Sequence, residues 1–125
     1  MNTSRPAPLW PLPRVVAHRC GGALAPENTL VGLDLTQALG FCAVEFDVML
    51  SADGTPWLIH DETLERTTDG HGKVCEASDA VLAMLDAGAR HHRAYAGEPL
   101  PTFAATAARC RALGLKANVE IKPAK

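Results

Sequence analysis

A chain of 125 residues with 47% hydrophobic and 21% charged side chains has the composition of one soluble globular domain. Its 12 basic and 14 acidic side chains leave a formal net charge of −2, which excludes a nucleic-acid footprint and a polybasic membrane patch. The four cysteines, Cys20, Cys42, Cys75 and Cys110, are scattered and form no Cys-x-x-Cys pair, so neither a structural zinc site nor a disulfide framework is expected. Isolated thiols of this kind suit a reducing, cytoplasmic setting.

Residues 1–13 read as a Pro-rich lead-in, extended and loosely held. Its prolines leave no continuous apolar stretch, so neither a signal peptide nor an anchor is expected there. No window anywhere approaches the roughly 18 apolar residues of a membrane span. Residues 14–125 then read as one α/β domain. Arg14-Val15-Val16-Ala17 predicts a short buried strand ending at His18-Arg19. Gly21-Gly22 and Pro26 mark a loop, and Asn28 or Thr29 can cap a helix. Its apolar positions Val31, Leu35, Ala38 and Leu39 follow helical spacing, and Gly40 supplies a stop.

Ala43-Val44-Glu45-Phe46-Asp47-Val48 predicts a strand with a period of two. Val44, Phe46 and Val48 share one face, and Glu45 and Asp47 share the other. Asp53-Gly54 signals a turn, after which residues 56–60 return as another strand ending at His60. A polar loop follows from Asp61 to about Lys73. A short helix is expected from near Ser78 through Val81, Leu82 and Leu85 to Gly88. Pro101-Thr102 opens an alanine-rich helix that stops at Gly114, and residues 117–122 form a further strand with Glu120 and Lys122 on one face. Strands alternating with helices imply a parallel sheet with right-handed crossovers, interrupted by one hairpin-like insertion.

The carboxylates are the first candidates for chemistry. Glu45 and Asp47 cannot sit unpaired in a dry core, because an ionised carboxylate is costly to bury without a partner. A solvent-facing edge strand would explain them equally well. Glu120 and Lys122 repeat the pattern on the next predicted strand, and three carboxylates converging from strand ends make an all-oxygen site for Mg²⁺ or Ca²⁺. His18 and His60 each end a predicted strand, where parallel α/β folds place their active sites, and histidine suits proton transfer near neutral pH. A structural role for either remains open. His71, His91 and His92 fall in predicted loops and are expected to be exposed. Gly21-Gly22 reads as a turn, Trp57 as packing, and Glu27-Asn28-Thr29 as a helix start and nothing more.

In chain order, the motifs are His18-Arg19, Pro26-Glu27-Asn28-Thr29, Glu45-Phe46-Asp47-Val48, His60-Asp61 with Leu64-Glu65-Arg66-Thr67-Thr68 and Gly70, and Glu120-Ile121-Lys122. This series, spread over most of residues 14–123, resembles the glycerophosphodiester phosphodiesterase family. The resemblance implies a TIM (β/α)8 barrel fold, with about the first three β/α units and a small insertion present in this chain. It implies that His18 and His60 form an acid/base pair, with neither assigned as acid or base. Glu45, Asp47 and Glu120 would hold one divalent cation, Mg²⁺ or Ca²⁺, and Arg19 and Lys122 would bind the substrate phosphate. The implied reaction takes a small-molecule glycerophosphodiester to an alcohol and glycerol 3-phosphate, through attack by the neighbouring glycerol hydroxyl and opening of a cyclic phosphate.

Two features depart from the pattern. Cys20 stands where the family usually has glycine, which would cost about 1–2 kcal/mol if that position needs positive φ. A TIM barrel typically needs about 250 residues, so this chain alone is not expected to close one. Its third strand would expose an edge, and self-association through that edge is expected. The rival to an active enzyme is a fragment of the same fold that binds without turnover.

Overall fold

The computed structural model describes residues 10–123, so most of the predicted lead-in lies outside the described residues. Strands β1 (Ala43–Leu50), β2 (Pro56–Leu58) and β3 (Lys116–Ile121) form one sheet in the order β2-β1-β3. β3 runs parallel to β1, from Ala43↔Lys116 to Val48↔Ile121, while β2 returns antiparallel with Val48 opposite Leu58. A parallel partner requires a crossover, and helix α3 (Phe103–Leu113) lies on it. The predicted α/β order with an inserted hairpin is therefore present.

Alternation along β1 sorts the two sides of the sheet. Val44, Phe46 and Val48 are buried in one cluster with Leu33 of helix α1 (Leu30–Ala38) and Cys110 of α3. The rings of Phe46 and Phe103 meet at 6.2 Å between centroids. A second cluster gathers Met49, Trp57, Ile59, Leu64 and Leu82 and holds the insertion together. Trp57 is packed as predicted, and its indole also donates to Asp79 at 2.9 Å.

Each helix begins on a hydroxyl, which satisfies an otherwise orphaned backbone N–H. Thr29 accepts from Gly32, Ser78 from Val81, and Thr102 from Ala105. α3 ends on Gly114 at φ 68, the left-handed stop read in the sequence. Asp34 and Arg109 staple α1 to α3 at 2.6 Å.

Four expectations need correction. The strand predicted for residues 14–17 shrinks to a single parallel bridge, Ala17↔Val44, with Arg14 and Val15 exposed. Among the described residues no strand flanks its other side, and the chain turns away at His18. α1 buries Gly32, Leu33 and Thr36 rather than the Val31-Leu35-Leu39 stripe. The helix approaches the preceding turn so closely that a Cβ on Gly32 would lie 2.4 Å from the Cys20 carbonyl oxygen. Leu35 and Leu39 instead line an open cleft of about 450 Å³ with Val16, Leu24 and Phe41. β2 stops at Leu58, although the Ile59 N–H still donates to the Asp47 carbonyl at 3.1 Å. Helix α2 (Asp79–Leu82) is one turn long, because Asp86 accepts from the N–H groups of Gly88, Ala89 and Gly97 and builds a loop there.

Candidate active site

The strand period places Glu45 and Asp47 on the face of β1 away from the α1–α3 core, and the parallel register sets Glu120 directly beside Asp47. One carboxylate oxygen from each of the three lies within 4.8 Å of the others. The group runs from buried to open: Asp47 is 1% exposed, and the side chains of Glu45 and Glu120 are 15% and 59% exposed. Asp47 is held by Asn28, whose amide donates to Oδ2 at 3.1 Å and accepts from the Asp47 backbone N–H at 3.3 Å. Its other oxygen, Oδ1, is buried without a hydrogen-bond partner. The Lys122 ammonium stands 3.9 Å from that oxygen and 3.9 Å from Glu120, too far for a hydrogen bond.

Glu45 accepts from the Arg19 backbone N–H at 3.1 Å, and His18 Nε2 stands 3.7 Å from the same oxygen. Burial pushes the Glu45 carboxyl above its ordinary pKa; the Arg19 N–H partly offsets this, and the Asp47 charge adds to it. Three carboxylates, one of them with a buried, unpartnered oxygen, form an environment that a hard divalent cation relieves. The all-oxygen donor set fits Mg²⁺ or Ca²⁺ better than a thiophilic metal.

His18, Arg19 and Cys20 form a single 3₁₀ turn, with φ 50 at Arg19 and φ 56 at Cys20. The position usually occupied by glycine does require positive φ, at a cost of about 1–2 kcal/mol for an L-residue. Cys20 meets it by burying its side chain completely in the core, which pushes the thiol far above its ordinary pKa. The N–H of Arg19 holds Glu45, and its guanidinium reaches Glu27 at 3.3 Å while Nε is buried without a partner.

His60 lines an open cleft of about 610 Å³ with Met49, Glu120 and Lys122. Its Nδ1 stands 2.9 Å from Asp61 Oδ1. His18 lines the separate cleft beside α1. His71, His91 and His92 are exposed, as expected. Of the seven candidates, His18 and Arg19 thus line one cleft and His60, Glu120 and Lys122 another, with Glu45 and Asp47 on the strand β1 itself.

Four residues at the site were passed over in the sequence. Asn28 does not cap the helix; it sits at φ 54 and grips Asp47 from both sides. Asparagine is one of the few residues that tolerates this backbone state, and that preference was the available signal. Glu27, Asp61 and Arg66 make the rest. Arg66 donates to Asp61 from Nε at 2.7 Å and to Glu27 from Nη1 at 2.7 Å, so a chain of alternating charges runs from Arg19 to His60.

This pairing makes a prediction about acid. Hydrogen bonds from Arg66, and secondarily from His60, pull the Asp61 carboxyl from 3.8 down to about 2. A carboxylate with a depressed folded-state pKa stabilises fully above its unfolded value and loses that contribution as pH falls through its folded value. Asp61→Asn should therefore lower stability by about 1–2 kcal/mol at pH 6, with the difference vanishing between pH 4 and pH 2. Urea unfolding of both proteins across this range checks it; a gap that persists unchanged at pH 2 would refute the assignment.

A carboxylate cluster fit for a hard cation, set among two histidines, an arginine and a lysine at the end of a parallel sheet, is equipped for chemistry on phosphate esters. A family model described as the glycerophosphoryl diester phosphodiesterase family matches residues 18–125, and the chain belongs to that family. The family is metal-dependent, and Glu45, Asp47 and Glu120 are a group that can hold the ion.

The chain is 38% identical over 97 residues to glycerophosphodiester phosphodiesterase 1 of Bos taurus, covering 76% of this chain and 29% of that protein. It is 40% identical over 89 residues to a glycerophosphodiester phosphodiesterase of Caldanaerobacter subterraneus, covering 71% of this chain and 37% of that protein. Among solved structures, it superposes on an Oleispira antarctica phosphodiesterase in complex with the product sn-glycerol-3-phosphate. The TM-score is 0.87 at 44% identity, over 90% of this chain and 45% of that one. An Agrobacterium tumefaciens glycerophosphodiester phosphodiesterase matches with TM-score 0.78 at 38% identity, over 86% and 46%. The chain thus spans less than half the length of the proteins it resembles.

Proposed function

We propose that residues 14–125 supply about the first three β/α units of a (β/α)8 barrel that hydrolyses glycerophosphodiesters to an alcohol and glycerol 3-phosphate. The observation that carries this reading is the Glu45-Asp47-Glu120 trio with its unpartnered Asp47 oxygen. The parallel β1–β3 pair and the Oleispira antarctica superposition support the barrel. That protein's product complex supports the substrate class.

In this reading Glu45, Asp47 and Glu120 hold one Mg²⁺ or Ca²⁺, which when bound acts as a Lewis acid on the phosphoryl oxygens. Arg19 and Lys122 bind the same phosphate and stabilise charge as it develops there. One of His18 and His60 removes a proton from the attacking glycerol hydroxyl, the other returns a proton to the departing alcohol, and water then opens the cyclic phosphate to glycerol 3-phosphate. The test is release of glycerol 3-phosphate from glycerophosphocholine, with Mg²⁺ or Ca²⁺ supplied, by residues 14–125 joined to the remaining units of a family barrel; no release with either ion would overturn the proposal.

Two further readings belong with it. Cys20, Cys42 and Cys110 carry thiols, which fits a reducing, cytoplasmic setting. β3 has β1 on one side and no strand on the other among the described residues, and Ile121 at its end is 81% exposed. Such an edge favours pairing between two copies of the chain. Size-exclusion chromatography of residues 1–125 should therefore show species larger than a monomer at micromolar concentration. A single monomer peak across a hundredfold dilution series would rule out edge pairing.

A further inference from the structure

Arg66 lies outside the carboxylate trio and carries none of the roles assigned above, yet its bonding is unusually complete. Nε and Nη2 take the two oxygens of Asp61 at 2.7 and 3.1 Å. Nη1 and Nη2 take the two oxygens of Glu27 at 2.7 and 3.1 Å. The planar fork thus engages two carboxylates side by side, a geometry that a point charge cannot reproduce. Each carboxylate passes the constraint on: Asp61 Oδ1 meets His60 Nδ1 at 2.9 Å, and Glu27 Oε2 accepts from Arg19 at 3.3 Å. The two carboxylates come from different loops, one preceding α1 and one following β2.

We propose that Arg66 is a positioning residue that sets the tautomer and orientation of His60 through Asp61 and the placement of Arg19 through Glu27. An ionised Asp61 can only accept, so Nδ1 of neutral His60 donates to it and Nε2 is left as the acceptor. His60 shares its cleft with Glu120 and Lys122, so the proton-accepting nitrogen is the one available to a bound phosphodiester. Held by one fork, the loops carrying His60 and Arg19 keep a fixed separation, which is what orientation at a reacting centre requires. The catalytic consequence rests on the phosphodiesterase reading; the tautomer does not.

The first measurement is independent of turnover. Long-range ¹H–¹⁵N spectra of residues 1–125 at pH 8 should show His60 mainly as the Nδ1–H tautomer. Arg66→Gln should shift it towards the Nε2–H form by at least threefold in tautomer ratio. Arg66→Lys should fail to restore the ratio, since lysine keeps the charge and loses the fork. Glu27→Gln, which leaves the Asp61 contacts in place, should cause a smaller shift and guards against an Arg66 variant that does not fold. Where glycerophosphocholine is turned over, Arg66→Gln should lower kcat by about 10–100-fold, the range for residues that orient a site from outside it. An unchanged His60 tautomer in folded Arg66→Gln, or full recovery with lysine, would overturn the proposal. The predicted tautomer shift without turnover in any variant, wild type included, even with residues 14–125 joined to the remaining barrel units, would uphold it and count against the phosphodiesterase reading instead.

Discussion

In a polypeptide that completes the barrel, prolonged chelation should reduce release of glycerol 3-phosphate to background, and Mg²⁺ or Ca²⁺ should restore it. The argument rests on charge. Asp47 is almost wholly buried, and one of its oxygens has no hydrogen-bond partner. Glu45 and Glu120 each bring an oxygen within 4.8 Å of it. Lys122 Nζ and His18 Nε2 stand 3.9 and 3.7 Å from carboxylates of the trio, and neither closes a hydrogen bond to it. An uncompensated buried carboxylate costs several kcal/mol, so the arrangement calls for a counter-ion. The cation should also stabilise the fold, by about 2.7 kcal/mol when present at a hundred times its dissociation constant. Asp47→Asn should remove both effects together. Undiminished turnover in rigorously metal-free buffer would sink the metal-site reading.

His60→Ala and His18→Ala should each lower kcat by about 10²–10⁴-fold while leaving KM within a few-fold, because proton transfer is made in the transition state. The two sites differ in support. His60 is two-thirds buried at its side chain and braced by Asp61, whereas the His18 side chain is 72% exposed and stands 3.7 Å from Glu45. The His60 variant should therefore resist rescue by added imidazole more than the His18 variant, whose vacated space is open. A loss smaller than about tenfold for either substitution would remove that histidine from the acid/base pair.

Much of this arrangement was legible from local pattern. The alternation through Val44, Phe46 and Val48 assigned β1 its core face, and so assigned Glu45 and Asp47 theirs. Thr29, Thr102 and Gly114 marked helix ends because capping chemistry acts within a few residues. What escaped depended on distant partners. Leu35 and Leu39 obey helical spacing, yet the buried face of α1 is decided by how closely the Cys20 carbonyl approaches Gly32. Arg14, Val15 and Val16 favour a strand, but pairing needs neighbours, and only Ala17 has one. Glu27, Asp61 and Arg66 are ordinary loop charges until the fold brings two loops together, and no periodicity announces that meeting.

The parallel β1–β3 register has a consequence for the order of folding. His18 and Arg19 lie against Glu45 once the first loop and α1 have formed, a comparatively local event. Glu120 reaches Asp47 only when β3 docks beside β1, and that pairing joins positions far apart in the chain. Non-local parallel pairings of this kind are slow, because the entropy of closure must be met before any contact compensates for it. The carboxylate trio is thus among the last features to assemble, and it exists only in molecules that have finished. Cation affinity in this protein should report completed folding, where helix content and the burial of β1 report only its beginning.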